Sequence, residues 1–431
     1  MTGIVNFINN PNYSFAARLV LLGLALSGCQ TVSQSEEVAD QWRLAMAESP
    51  AGTKSGEPNL FATADGRLFL SWIDEEADNQ HALRFSEWQE DHWSAAQTIA
   101  QDSNWFVNWA DFPSLAMQGD FMAAHWMDKS AEGTYDYDIK VALSQDAGKS
   151  WSEPFILHRD GIPAEHGFVT MLPLESDEMF AVWLDGRHTK TDDADAHAAH
   201  GHGSGAMTLH ATTFDAEGQL GEEMALDMRI CDCCQTDAVK TNEGLFVVYR
   251  DRSEAEVRDI YCMRQVNGQW TEPQPVHEDN WQISGCPVNG PATAALGNQV
   301  VVAWYTAADE KPKVQLVLSD NNGTDFGEPV RLDHGNPSGR VDVIYLDDKH
   351  LMVSWMESNG TGADIRAAVV SSSGEVLSDR LLVATAASRS SGFPIMEKAG
   401  EQVFFAWTEV GEVQTQVKTG KLNLNEILQA I

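Results

Sequence analysis

Seven short apolar runs, each ending in an aromatic residue, recur along this chain at nearly constant spacing. They are Leu68-Phe69-Leu70-Ser71-Trp72, Ala123-Ala124-His125-Trp126, Phe180-Ala181-Val182-Trp183, Phe246-Val247-Val248-Tyr249, Val301-Val302-Ala303-Trp304, Met352-Val353-Ser354-Trp355 and Phe404-Phe405-Ala406-Trp407. Their aromatics lie 54, 57, 66, 55, 51 and 52 residues apart. A repeat of that length built from short strands cannot bury its own faces, so copies must stack on one another, and sheet copies stack radially into a closed ring. An extended segment opened by Pro58, Pro113, Gly167, Pro287, Gly339 or Pro394 precedes most of the runs. A third strand follows, then a polar turn leading to Trp93, Trp151, Leu220, Trp270, Phe326 or Val376. Each unit therefore reads as four strands, A to D, and the expected fold is an all-β propeller. The seventh unit lacks a D strand of its own. Gln41-Trp42-Arg43-Leu44-Ala45-Met46 is available to complete it and remove the open edge.

The most specific motif lies between strands C and D. Ser144-Gln145-Asp146-Ala147-Gly148-Lys149-Ser150-Trp151 fits Ser-x-Asp-x-Gly-x-x-Trp, and Ser319-Asp320-Asn321-Asn322-Gly323-Thr324-Asp325-Phe326 fits it with Asn and Phe substituted. Asp or Asn accepts turn amides, Gly permits positive φ, and the aromatic packs back between blades. These segments resemble the Asp-boxes of the sialidase (BNR repeat) superfamily. Cys231-Asp232-Cys233-Cys234-Gln235-Thr236, Tyr249-Arg250-Asp251-Arg252 and Cys286-Pro287-Val288-Asn289-Gly290-Pro291 further resemble a bacterial group of sialidase-like lipoproteins. The resemblance spans residues 56 to 425, taken as one propeller domain. It implies a sialidase-like propeller; sialidases have six blades, whereas the run count favours seven. Where a sialidase carries Arg-Ile-Pro, this chain has Gly56-Glu57-Pro58.

Residues 1–28 read as a signal peptide. Arg18 precedes the run Leu19-Val20-Leu21-Leu22-Gly23-Leu24-Ala25-Leu26, which is too short to span a bilayer. Leu26-Ser27-Gly28-Cys29 is similar to a bacterial lipobox, and the resemblance implies cleavage before Cys29 and lipidation of its thiol. Gln30 in place of an Asp implies sorting to the outer membrane, with the body facing the periplasm or the cell surface. Residues 29–55 then form a polar tether running into the closing strand. With 64 acidic against 28 basic residues, the formal charge is −36, which excludes a nucleic-acid partner for want of a basic footprint.

Strand order decides which residues converge. The D-to-A connections and B-to-C loops share one face, and the Asp-boxes occupy the other. Around the first face, Arg187, Arg250, Asp251, Arg252 and Arg340 form a candidate anion-binding set, because guanidinium forks hold planar anions bidentately. The alternative is that Asp185 pairs with Arg187, and Asp251 with Arg252 or Arg258, to pin loops between blades. Asp111 and Glu357 are the candidate acid/base pair for glycoside chemistry.

Sulfur forms the second constellation on that face. Apart from Cys29 there are five cysteines, an odd number. Cys231, Cys233 and Cys234 precede blade 4, and Cys286 precedes blade 5 at the matching position. Two readings stay open: a disulfide from the run to Cys286, or a thiolate site for Cu or Zn, with His166 as a further ligand from the same face. Cys262 reads as a buried bystander in a third strand. An insertion carrying His188, His197, His200 and His202 with Asp192, Asp193 and Asp195 is either a further metal-binding loop or a solvated one. The leading functional expectation is a cell-envelope propeller binding an anionic glycan at its mouth, with sialidase-like exo-glycosidase activity as its catalytic form. A metal-binding or redox lipoprotein and an assembly scaffold are the alternatives.

Overall fold

The computed structural model describes residues 42–175, 177–190 and 205–431. The proposed lipidation site at Cys29 and the residues His197, His200 and His202 lie outside these. Seven antiparallel sheets follow one another along the chain. In blade 3, strands A to D are His166–Pro173, Glu178–Asp185, Met207–Asp215 and Met224–Ile230. In blade 6 they are Pro337–Tyr345, His350–Ser358, Ala363–Ser371 and Val376–Thr385. The last blade consists of Ile395–Ala399, Gln402–Val410 and Thr415–Asn423, and its outer strand is Ala45–Ala47 from the N-terminal side, in register Ala45 with Lys421. The architecture is a seven-bladed propeller, the number that the recurring runs favoured.

The repeat has a packing reason. Seven apolar clusters hold the ring, and each joins two neighbouring blades. In every one the B-strand aromatic packs against the preceding blade: Trp126 against blade 1, Trp183 against blade 2, Tyr249 against blade 3, and so round to Trp72 against blade 7. Trp72, Trp183, Trp304 and Trp355 are fully buried. Trp42 wedges between blades 6 and 7 with 2% of its surface exposed.

The two C-to-D turns adopt one geometry. Asp146 Oδ1 accepts from Ser150 N at 2.9 Å, and Ser144 Oγ accepts from Gly148 N at 2.8 Å. Asn321 and Ser319 repeat this with Asp325 N and Gly323 N at 3.1 and 3.0 Å. Gly148 has φ +82°, and a Cβ there would sit 2.4 Å from Phe85 Cζ; Gly323 has φ +73° and meets Phe246 equally closely. Ala147 N donates to Asp120 O and Asn322 N to Asn298 O, so both turns lie beside A-to-B turns. Pairing of His166 with Asp185 and of Pro337 with Glu357 puts A-strand starts beside B-strand ends, on the opposite face. Strand A of blade 5 begins at Ala292 rather than at Pro287, since Pro287 and Pro291 have no amide hydrogen to give a ladder.

The A strands line a central cavity of about 1160 Å³. Being innermost, they have amides to satisfy across blade boundaries, and acidic or amide side chains of the preceding blade do so. Asp111 accepts from Phe168 N at 2.7 Å, Asp237 from Thr293 N at 2.7 Å, Asn289 from Arg340 N at 2.8 Å and Asp342 from Met396 N at 2.6 Å. Glu397 accepts from the Ala62 amide, carrying the pattern over the closure. Burial pushes Asp237 up to about 7 and Asp342 up to about 8; Glu397, buried beside Asp342, also reaches about 8.

Two outcomes follow. Trp42→Ala should lower unfolding free energy by about 3–5 kcal/mol, read from urea denaturation of the full chain; a loss under about 1 kcal/mol would mean that the closing segment adds little. The channel carboxylates ionise near pH 4 when unfolded but hold their protons to pH 7–8 when folded, so the native state binds more protons between those values and stability falls as pH rises through them. Asp342→Asn keeps an oxygen for the Met396 amide and removes one such group. Its urea midpoint should gain on wild type from pH 5 to pH 8; a constant difference would refute the assignment.

Candidate functional site

The acids that end the B strands have local work to do. Trp72 Nε1 donates to Asp74 at 2.9 Å, Trp183 Nε1 to Asp185 at 2.9 Å and Trp355 Nε1 to Glu357 at 2.8 Å. A carboxylate two residues after the wedge fixes the indole edge, since a buried N–H needs an acceptor. In blade 5, where Thr306 stands at that position, Trp304 Nε1 uses Asp279 instead, at 2.6 Å. Glu357 also accepts from the amides of His334 and Asn336, both at 3.0 Å. This candidate base is thus a structural acceptor on blade 6, across the ring from Asp111 on blade 2.

Asp111 belongs to a cluster that strand order alone did not reveal. Tyr137 Oη donates to Asp111 Oδ2 at 2.9 Å and lies 3.1 Å from Glu165 Oε1. Burial raises Asp111 to about 7 against the hydrogen bonds from Phe168 and Tyr137, and raises Glu165 well above the usual range. The Phe106 ring stacks on Tyr137 with centroids 4.2 Å apart, and Tyr137 and Asp111 are each 1% exposed. The phenol is sealed from solvent.

The arginines face inward. Arg187 forks onto Asp185, with Nε–Oδ1 at 2.7 Å and Nη2–Oδ2 at 2.6 Å, and Nη2 reaches Glu223 at 2.5 Å. Arg250, 2% exposed, donates to the carbonyls of Asn289, Tyr305 and Arg258 at 2.6–3.0 Å. Arg252 bridges Glu256 and Asp232 at 2.7 and 3.0 Å. Arg340 donates to the carbonyls of Gly392 and Ser388 at 2.8 and 2.9 Å and lies over the Trp109 ring. Half-buried Asp251 is pushed up to about 7 by burial and by the neighbouring charge of Asp227. The arginines drawn from the sequence as an open anion clamp therefore meet internal acceptors: Arg187 pairs with Asp185 as the alternative had it, whereas Arg252 meets Asp232 and Glu256 rather than Asp251.

The thiols do converge. Cys231, Cys233 and Cys234 sit in the connection from blade 3 to blade 4, and their sulfur atoms all lie within 4.8 Å of one another. Cys231 Sγ and Cys234 Sγ are 3.5 Å apart, and Cys286 from the next connection contacts the Cys233 thiol. All five described cysteines are free thiols. Arg258 Nη1 lies 3.2 Å from Cys231 Sγ. Burial opposes ionisation of Cys231, yet hydrogen bonds from Cys233 and Cys234 and the charges of Arg258 and Arg250 hold it well below the ordinary thiol range. Cys262, in strand C of blade 4, is pushed up to about 12 by burial and stays apart. His166 is not among the atoms grouped with these sulfurs; it lies with Asp138, His158, Asp160 and Asp185.

No protein-family model and no curated protein matches the chain. Solved structures do. The polysaccharide lyase Uly1 aligns at a TM-score of 0.51 and 9% identity, covering 88% of this chain and 92% of the lyase. The NanB sialidase of Streptococcus pneumoniae gives 0.47 and 8%, covering 90% and 93%. An α-L-arabinofuranosidase from Fusarium graminearum gives 0.47 and 11%, covering 90% and 99%. At such identities the shared property is the propeller fold alone.

Proposed function

We propose that this sialidase-like propeller is a thiolate metal-binding lipoprotein of the bacterial cell envelope, holding Cu(I) or Zn(II) at Cys231, Cys233 and Cys234 with Cys286 beside them. The observation that carries it is the convergence of three thiols within 4.8 Å under a guanidinium 3.2 Å from one of them. Thiolates around one ion with metal–sulfur bonds of about 2.3 Å sit about 3.8 Å apart, close to the 3.5 Å between Cys231 and Cys234. Soft sulfur ligands select Cu(I) and Zn(II) over Mg(II) or Ca(II). A centre with three thiolates and Cu(I), or four and Zn(II), carries two negative charges. Arg258 and Arg250, whose charges act on Cys231, would neutralise them from the protein side.

Lipidation at Cys29 would hold the site at the outer membrane, where the body faces the periplasm or the surface. An anionic glycan at the same mouth, hydrolysed through Asp111 and Glu357, is the reading that fold likeness to a sialidase and a lyase suggests. It would have to displace the acceptors of Arg187, Arg250, Arg252 and Arg340, which is why the sulfur cluster takes precedence.

Protein purified reduced and without chelator should take up one equivalent of Cu(I) or Zn(II), by elemental analysis and by titration. Cys231→Ser with Cys234→Ser should abolish uptake, and Cys262→Ser should leave it intact. Arg258→Met should weaken affinity roughly 10–100-fold, the usual cost of losing an outer partner. Undiminished uptake in the double variant would reject the site. Zero stoichiometry in wild type, with turnover of a fluorogenic sialoside or stabilisation by an anionic sugar, would transfer the role to glycans.

A further inference from the structure

A second cluster of ligand atoms lies on the same face, between blades 2 and 3, and contains no sulfur. His158 and His166 stack ring on ring, with centroids 3.6 Å apart and planes 5° from parallel. Both imidazoles are buried, as are the carboxylates of Asp160 and Asp185; Asp138 is slightly exposed. His166 Nδ1 is 3.2 Å from the carbonyl oxygens of Tyr137 and Ala164. Carbonyl oxygen only accepts, so Nδ1 carries the hydrogen, and in the neutral ring Nε2 presents a lone pair. That atom has no hydrogen-bond partner, yet it points at Asp160 Oδ2, 3.3 Å away, and Asp185 Oδ1, 3.6 Å away. A lone pair aimed at two carboxylates is repulsive unless a proton or a metal cation sits between them.

Charge and spacing agree on the kind of cation. Asp138, Asp160, Asp185 and Glu223 face one guanidinium, that of Arg187, which is bound to Asp185 and Glu223 and lies 3.9 Å from Asp160 Oδ1. The remaining basic groups are the rings of His158, His166 and His210, the last 3.1 Å from Glu223. Charging both stacked rings sets two cations face to face, so protons are a poor way to fill the whole deficit. Ligands around a four-coordinate ion with bonds of about 2.1 Å lie about 3.4 Å apart, and the two observed separations are 3.3 and 3.6 Å. Metal-bound histidines typically donate their other N–H to a carbonyl or carboxylate, as His166 does to Tyr137 and Ala164.

We propose that His166 Nε2, Asp160 Oδ2 and Asp185 Oδ1 form a divalent-cation site for Mn(II) or Zn(II), distinct from the thiol cluster. One imidazole and two carboxylates make a nitrogen–oxygen set that suits these ions and has no preference for Cu(I). Arg187 orients Asp185 through its fork, and His158 orients Asp160, with Nδ1 2.5 Å from Oδ1. The inference does not depend on the thiol reading.

Mn(II) is the discriminating probe, because thiolates bind it weakly. Titrating the full chain while following the EPR signal of free Mn(II) should show one bound equivalent, displaced by Zn(II). His166→Gln and Asp160→Asn should each weaken it roughly tenfold or more, and Cys231→Ser with Cys234→Ser should not. Thermal melts identify any variant that fails to fold, and anomalous scattering at the Mn edge then decides on wild type, with the ion expected beside His166 Nε2. No bound Mn(II) or Zn(II), uptake unchanged in both folded variants, or an ion seated elsewhere would overturn the proposal.

Discussion

One aromatic side chain per blade, wedged against the blade before it, is the contact on which this ring depends. Its repetition explains the spacing along the chain, the seven apolar clusters and the carboxylates that follow the aromatics. The indole supplies buried area and also an N–H that must find an acceptor. Asp74, Asp185 and Glu357 meet that need within their own blades. A row of acids around a mouth can look catalytic and yet be the cost of burying tryptophan. Acceptors on the inner strands extend the same economy to the channel, tying each blade's amides to its neighbour.

The arginines obey the rule that suggested an anion ligand, but the anions and dipoles they meet belong to the protein. A buried guanidinium must be satisfied wherever it lies. Arg250 finds main-chain carbonyls, Arg252 finds Asp232 and Glu256, and Arg258 finds Glu256 and the Cys231 sulfur. In the sulfur group, against burial, hydrogen bonds from its neighbours and the charges of Arg258 and Arg250 hold Cys231 well below the ordinary thiol range, while burial and the adjacent Cys231 push Cys233 and Cys234 above it.

How much of this could be read from residues alone depended on the range of the contacts. Blade number was legible because the wedge recurs once per blade, and the face occupied by the cysteines followed from strand alternation. The C-to-D turns were legible because their hydrogen bonds close within four residues of Ser144 or Ser319. Arg250 was not, because its acceptors are carbonyls that any side chain could carry. The Tyr137, Asp111 and Glu165 group and the stacked His158 and His166 were missed for another reason. Their members come from two blades and from irregular connections whose path no periodicity sets; only the pairing of Tyr137 with Glu165 as a bridge brings them together. His166 was grouped with the cysteines by face, and its position around the ring instead set it beside blade 2.

The strand Ala45–Ala47 occupies the outermost place in its blade, farthest from the axis. Because Ala45–Ala47 pairs with Thr415–Asn423, the ring is zipped shut by one short ladder joining opposite ends of the described chain. The circle therefore cannot close until the final strand has been made, and every blade between waits on that last pairing.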